Sequence, residues 1–161
     1  MRKLSLLTLG TALVISGCAN DIAKNGHSEI FGKINIIDEN GTDITKFCTS
    51  RNMQSNGFIV KKAVPGDNIL GQITCTPGEY MYRIKAASDV TVNVPSDGVA
   101  VYFGDITISL DSKKGYFIKN DGKGSKELYT GNLPIKQGSL KVGKSEKNWV
   151  RNFLGSTGNR F

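Results

Sequence analysis

The chain has 161 residues, 39% of them hydrophobic and 22% charged, with a formal net charge of +7. That is enough material for one domain with a real core, and too little for several. No internal repeat, heptad pattern or low-complexity tract occurs, which excludes solenoid, coiled-coil and disordered-chain readings.

The first element is a leader. Arg2 and Lys3 form a short positive region, Leu4 to Ile15 form an apolar stretch, and the small residues Ser16 and Gly17 follow. This is the order of a secretory signal peptide. A bilayer core takes about 20 apolar residues in a helix, so this stretch is expected to be cut rather than to remain as a span. Ile15, Ser16, Gly17 and Cys18 resemble the lipobox of bacterial lipoproteins. The resemblance implies that the Cys18 thiol takes a diacylglyceryl group, that the leader is removed before it, and that the new amine is acylated. Two or more chains hold a protein stably where one does not, since each buried methylene contributes about 0.8 kcal/mol. Ala19 rather than Asp follows the cysteine, which in Gram-negative lipoproteins resembles the outer-membrane pattern. Residues 1–17 are therefore expected to be signal peptide, 18–28 a lipidated terminus and polar tether, and 29–161 a single β-rich envelope domain. Removing residues 1–17 leaves 144.

From Ile30 onward the hydrophobic period is two. Ile30, Gly32, Ile34 and Ile36 alternate with polar residues, and Asp38 to Gly41 read as a turn. Phe58 to Lys62 and Ile69 to Cys75 flank a second turn. Thr76 to Gly78 give a third, followed by strands over Tyr80 to Ile84, Val90 to Val94, the VAVYFGDITIS stretch and Gly115 to Asn120. Short strands separated by Gly, Pro, Asn and Asp predict an all-β fold, an antiparallel β-sandwich or small barrel. Asp105 is the one acid lodged among apolar residues, and alternation puts it on the solvent side, opposite Ile106 and Ile108. Gly32 to Thr45 and Thr76 to Ile84 are similar to segments of carboxypeptidase-regulatory and transthyretin-like sandwich modules. That likeness implies a sandwich that binds or braces, and it transfers no site residue.

Cys48 and Cys75 are the two remaining cysteines, and in the oxidising compartment reached by export they are expected to form a disulfide. A metal site or reactive thiol is the alternative. Its requirements are not met by one histidine, His27 in the tether, and no CxxC spacing, so neither metal nor cofactor is expected.

Near the C-terminus SEKNWVRNFLG reads as the one helix. Ser145 is placed to cap it, Trp149, Val150, Phe153 and Leu154 share a face, and Gly155 is placed to end it. That face either packs on the sandwich or serves as an aromatic docking strip through Trp149 and Phe153.

Charge divides unevenly. Residues 19–112 carry −3 and residues 113–161 carry +8, with Lys113, Lys114, Lys119, Lys123, Lys126, Lys136, Lys141, Lys144 and Lys147 in the basic part. In an envelope such a field suits lipid headgroups, lipopolysaccharide phosphates or acidic wall polymers, and nucleic acid is not an expected partner. The plainer interpretation is that these lysines solvate the surface and guard strand edges. A Ser/His/Asp or Cys/His device would need His27, and neither a phosphate loop nor a calcium loop has its residue order here. Three functions follow in order of expectation. The first is a noncatalytic lipoprotein that binds or braces an envelope protein. The second is a polyanion binder using Lys113, Lys114, Lys119 and Lys123, and the third a carboxylate-based hydrolase.

Overall fold

The computed structural model describes residues 27–85, 90–142 and 149–154. Cys18, most of the tether, Lys144, Lys147 and Ser145 lie outside the described residues. Among the described residues every regular element is a strand, apart from two single-turn 3-10 segments, Thr45–Phe47 and Lys126–Leu128.

The long strands build the first sheet. β1 (Ser28–Ile37) lies between β8 (Ala100–Asp111) and β3 (Phe58–Ala63). The other edge of β8 is shared by β9 (Gly115–Gly122) and β10 (Ile135–Gln137). A second sheet has the order β11 (Leu140–Val142), β7 (Val90–Val94), β4 (Gly66–Ile69). A third has the order β12 (Trp149–Phe153), β6 (Tyr80–Ile84), β5 (Ile73–Cys75), β2 (Cys48–Thr49). Ile34 and Ile36 of β1 and Ile106 and Ile108 of β8 share one core with Val90 and Val92 of the second sheet and Ile84 and Trp149 of the third. The predicted all-β fold is thus what forms, its three sheets contributing to one core.

Most pairings are antiparallel, but β8 runs parallel to both β1 and β10. Parallel neighbours need a crossover, and here strands supply it in place of a helix. At Phe103 the β1–β8 register slips: Phe31 faces Tyr102 while Gly32 faces Gly104. The slip re-phases β8. Val101 and Phe103 face the main core before it, and Ile106, Ile108 and Leu110 after it. Gly32 is required at this point, because a Cβ there would collide with the Gly104 carbonyl and the Phe103 ring.

Tyr102 consequently points to the opposite face, where Phe31, Phe58 and Ala100 form a second, smaller cluster under Tyr129 and Leu133. Phe31 stacks on Tyr129 at 4.3 Å between ring centroids, and the Tyr129 hydroxyl donates to Glu29 at 2.6 Å. Burial and the Glu29 carboxylate together push the Tyr129 hydroxyl up to about 12. A phenol whose folded value exceeds its unfolded one stabilises the fold fully below the unfolded value and loses that contribution as pH rises. The urea midpoint should therefore fall between pH about 10 and about 12, and Tyr129→Phe should flatten that arm of the profile. An unchanged arm would mean that Tyr129 is not coupled to folding.

Asp105 departs from its expected solvent-facing place. It does lie opposite Ile106, but residues 122–129 cover that face, and Asp105 is half-buried. It accepts from the Tyr102 hydroxyl at 2.7 Å, from the Ser125 amide at 3.0 Å and from the Ser125 hydroxyl.

The expected C-terminal helix is also corrected. Trp149–Phe153 is a strand, paired antiparallel with β6 so that Trp149 faces Ile84 and Phe153 faces Tyr80. Five residues rich in aromatic and β-branched side chains satisfy a helical stripe and an alternating one equally well, and an available β6 edge decides between them. In the strand Trp149, Arg151 and Phe153 share one face, and Val150 falls on the other.

Candidate functional site

Glu39 stands in the turn that follows β1. Asp38 holds this turn closed, its carboxylate accepting from the amides of Asn40 at 2.9 Å and Thr42 at 2.8 Å. From there Glu39 pairs with Arg151 of β12. The Arg151 guanidinium also lies over the Tyr80 ring, 5.0 Å from its centroid, and Tyr80 packs on Phe153 at 5.5 Å. Glu39 makes Arg151 harder still to deprotonate, while burial raises the Tyr82 hydroxyl beneath it. Only one Glu39 oxygen is used. The other, Oε2, is buried without a hydrogen-bond partner, a costly state for a carboxylate oxygen. A cleft of about 370 Å³ opens beside it, lined by Glu39, Ser112, Trp149, Val150 and Arg151.

The two aromatic candidates part company. Trp149 is 4% exposed, lies 6.0 Å from the Tyr82 ring and donates its indole N–H to the Gly115 carbonyl. Phe153 is 62% exposed at the far end of the same strand. Trp149 is thus a core residue and cleft wall, whereas Phe153 faces solvent with Tyr80 and Leu154.

The four lysine candidates do not form one patch. Lys113 and Lys114 occupy the β8–β9 turn, their amides donating to Asp111 at 2.8 Å and 2.7 Å, next to Ser112 of the cleft. Lys119 lies partway along β9, opposite Thr107, in an ion pair with Asp121 at 3.4 Å. Lys123 follows the far end of β9, about 25 Å from the turn at the strand rise per residue. Cys48 and Cys75 face each other across β2 and β5 and are bonded, as expected.

Glu39, Arg151 and Tyr80 were not singled out from the sequence. Alternation of Arg151 with Trp149 and Phe153 would have flagged it had the segment been taken as strand. Glu39 offered no local signal, since its partner lies 112 residues away.

Chemically, the aromatic end offers flat apolar area, one fixed cation and one unpartnered acceptor, which suits recognition. Asp105, Tyr102 and Ser125 are the closest approach to a catalytic cluster, yet Ser125 is 2% exposed and its hydroxyl and amide are both committed to Asp105. The cluster clamps the 122–129 segment to β8. Among the described residues no three His, Cys, Asp or Glu side chains gather as a metal-holding group, and no helix is long and apolar enough to cross a membrane. Comparison with family models, curated proteins and solved structures yields no match to this chain.

Proposed function

We propose that the protein is a membrane-anchored envelope lipoprotein whose β-domain binds or braces a protein partner without catalysing a reaction. The observation that carries this reading is the solvent-facing Tyr80–Phe153 pair, with Arg151 set over Tyr80 and Leu154 beside it. Aromatic and arginine side chains held in place before binding are typical interface anchors. The main chain adds a second handle. The Leu154 amide donates to Glu79, so alternation turns the amides and carbonyls of Arg151 and Phe153 away from β6. Among the described residues no strand covers that edge, and an extended segment can pair with it. The Cys48–Cys75 disulfide accords with an exported chain, and the order of residues 2 to 18 supports anchoring through Cys18.

The test is extraction of the protein from membranes in mild detergent. Wild type is expected to retain a stoichiometric protein partner, and Tyr80→Ala with Phe153→Ala to release it while the circular dichroism spectrum stays unchanged. Retention by the double variant would remove the aromatic end from the interaction.

A further inference from the structure

β3 is an edge strand of the first sheet, and only its start is covered: Gln54 donates its amide to the Phe58 carbonyl at 2.8 Å, and Met53 bridges to Ile59. By alternation from Phe58, the amides of Val60 and Lys62 turn away from β1; the Met53–Ile59 bridge takes up the edge as far as Val60, and the Lys62 amide lies beyond it, where no described strand pairs. Lys61 and Lys62 straddle this edge. Lys62 pairs in register with Glu29 and stands on the Phe31 side of the sheet, and Lys61 pairs with Ile30 on the other side. Arg51, from the segment after β2, lies over the same edge. Two adjoining hollows of about 340 and 480 Å³ share Arg51, Asn52 and Lys61 in their walls, and Lys62 completes the second. Lys61 donates one N–H to the Ile69 carbonyl at 2.6 Å, and an ammonium has two more.

Glu29 lines the second hollow with Arg51, Lys61 and Lys62, so the three cations there outnumber one carboxylate. Glu29 has its Oε2 engaged by the Tyr129 hydroxyl. Asp97 lies in the turn to which the Ser28 hydroxyl donates, at Ser96. Lys136 stands at the same end of the sheet, opposite Val101. Cations gathered around the outward Lys62 amide form a surface for phosphate oxygens.

Connectivity says which phosphates. Nine residues, 19–27, separate Cys18 from Ser28, and fully extended they reach about 30 Å. Ser28 begins β1 beside Ala63, at the Lys61–Lys62 end of the sheet. β1 then runs ten residues, about 33 Å, before the chain reaches Glu39 and the aromatic end. The basic edge therefore lies at the end of the sheet where the chain from Cys18 enters the domain.

Resting on the anchor reading for which surface lies nearest, we propose that Arg51, Lys61 and Lys62 seat this end of the domain on the phosphate headgroups of an anionic bilayer. The domain then stands with Tyr80 and Phe153 facing away from that bilayer, towards a partner.

The probe is the chain from residue 19, which keeps the whole described fold and lacks Cys18, sedimented with vesicles of phosphatidylcholine alone or with phosphatidylglycerol added. Sedimentation with the anionic vesicles only, weakened by salt, is the expected result. Arg51→Ala with Lys62→Ala should lower that affinity roughly 30-fold, at about one surface charge's contribution each. Lys113→Ala with Lys114→Ala removes the same charge at the opposite end and should leave it unchanged. No binding to the anionic vesicles overturns the proposal. Equal losses in both variants overturn it too, since net charge rather than this edge would then be responsible. Displacement by inorganic phosphate at matched ionic strength would indicate a small-anion pocket instead of a bilayer seat, and also overturns it. Anchoring is read separately, from the intact mass of membrane-extracted protein, so either idea can fail alone.

Discussion

Trp149→Ala should destabilise the protein by about 3–5 kcal/mol, the usual loss on truncating a buried large aromatic side chain. The indole is 4% exposed, packs near Tyr82 and satisfies the Gly115 carbonyl, so its removal leaves both a cavity and a buried acceptor without its donor. Phe153→Ala, four residues along the same strand face, removes a ring that is 62% exposed and should change stability by no more than about 0.5 kcal/mol. Urea unfolding of the two variants reads the difference directly. Two small effects of similar size would take the indole out of the core and return Trp149 to the interaction surface. The contrast also makes the partner-release experiment interpretable, because it says which aromatic can be removed without disturbing the fold.

The second large effect is that of the disulfide. Cys48→Ala with Cys75→Ala should cost about 3.5 kcal/mol, the chain-entropy value for a loop of this length, since the bridge closes a separation of 27 residues. For a domain of this size that lowers the melting temperature by roughly 10–15 °C. The bridge joins β2 to β5, and β2 is only two residues long, so few ladder hydrogen bonds replace it when it is gone. Alanine is the right replacement because both sulfurs are buried, and a serine hydroxyl there would add its own burial cost. Thermal unfolding of the oxidised wild type, the reduced wild type and the double variant tests this. Coincident transitions for all three would mean that the bridge contributes nothing to the fold. A loss of the expected size would make productive folding dependent on an oxidising compartment, in accord with the export proposed from residues 2 to 18.

Much of the sheet content was legible. Alternation over Ile30 to Ile36, Phe58 to Lys62 and Val90 to Val94 marks strands β1, β3 and β7, because a strand with one buried face must repeat every two residues. The Asp38–Gly41 turn was legible from its side-chain chemistry. Ile69 to Cys75 was harder. It divides into the last residue of β4, a break over Leu70 to Gln72, and β5, with Gly71 at φ 106° in a conformation that L side chains rarely adopt. Residues 123–142 gave almost no periodic signal, yet they cover Phe31 and Tyr102 with Tyr129 and Leu133 and supply β10 and β11. Their exposed, three-residue strands have too little burial to leave a pattern.

The interaction surfaces were less legible than the strands. Phe153 was found from its residue type, Lys113 and Lys114 from charge, and the basic edge at Arg51, Lys61 and Lys62 was missed because residues 19–112 are acidic on balance. By itself the sequence determined the cysteine pair, the turns and the faces of the long strands, and it carries the residue order on which the proposed anchor rests. All of these are written in neighbouring residues, where steric preference and the pleat act within a few positions. Only the tertiary structure decided that β8 lies parallel to β1, that the slip at Phe103 turns Tyr102 and Asp105 to a covered face, and that Glu39 meets Arg151. A local pattern says which face of a strand is buried, but which strand covers it is settled by packing between segments far apart in the chain.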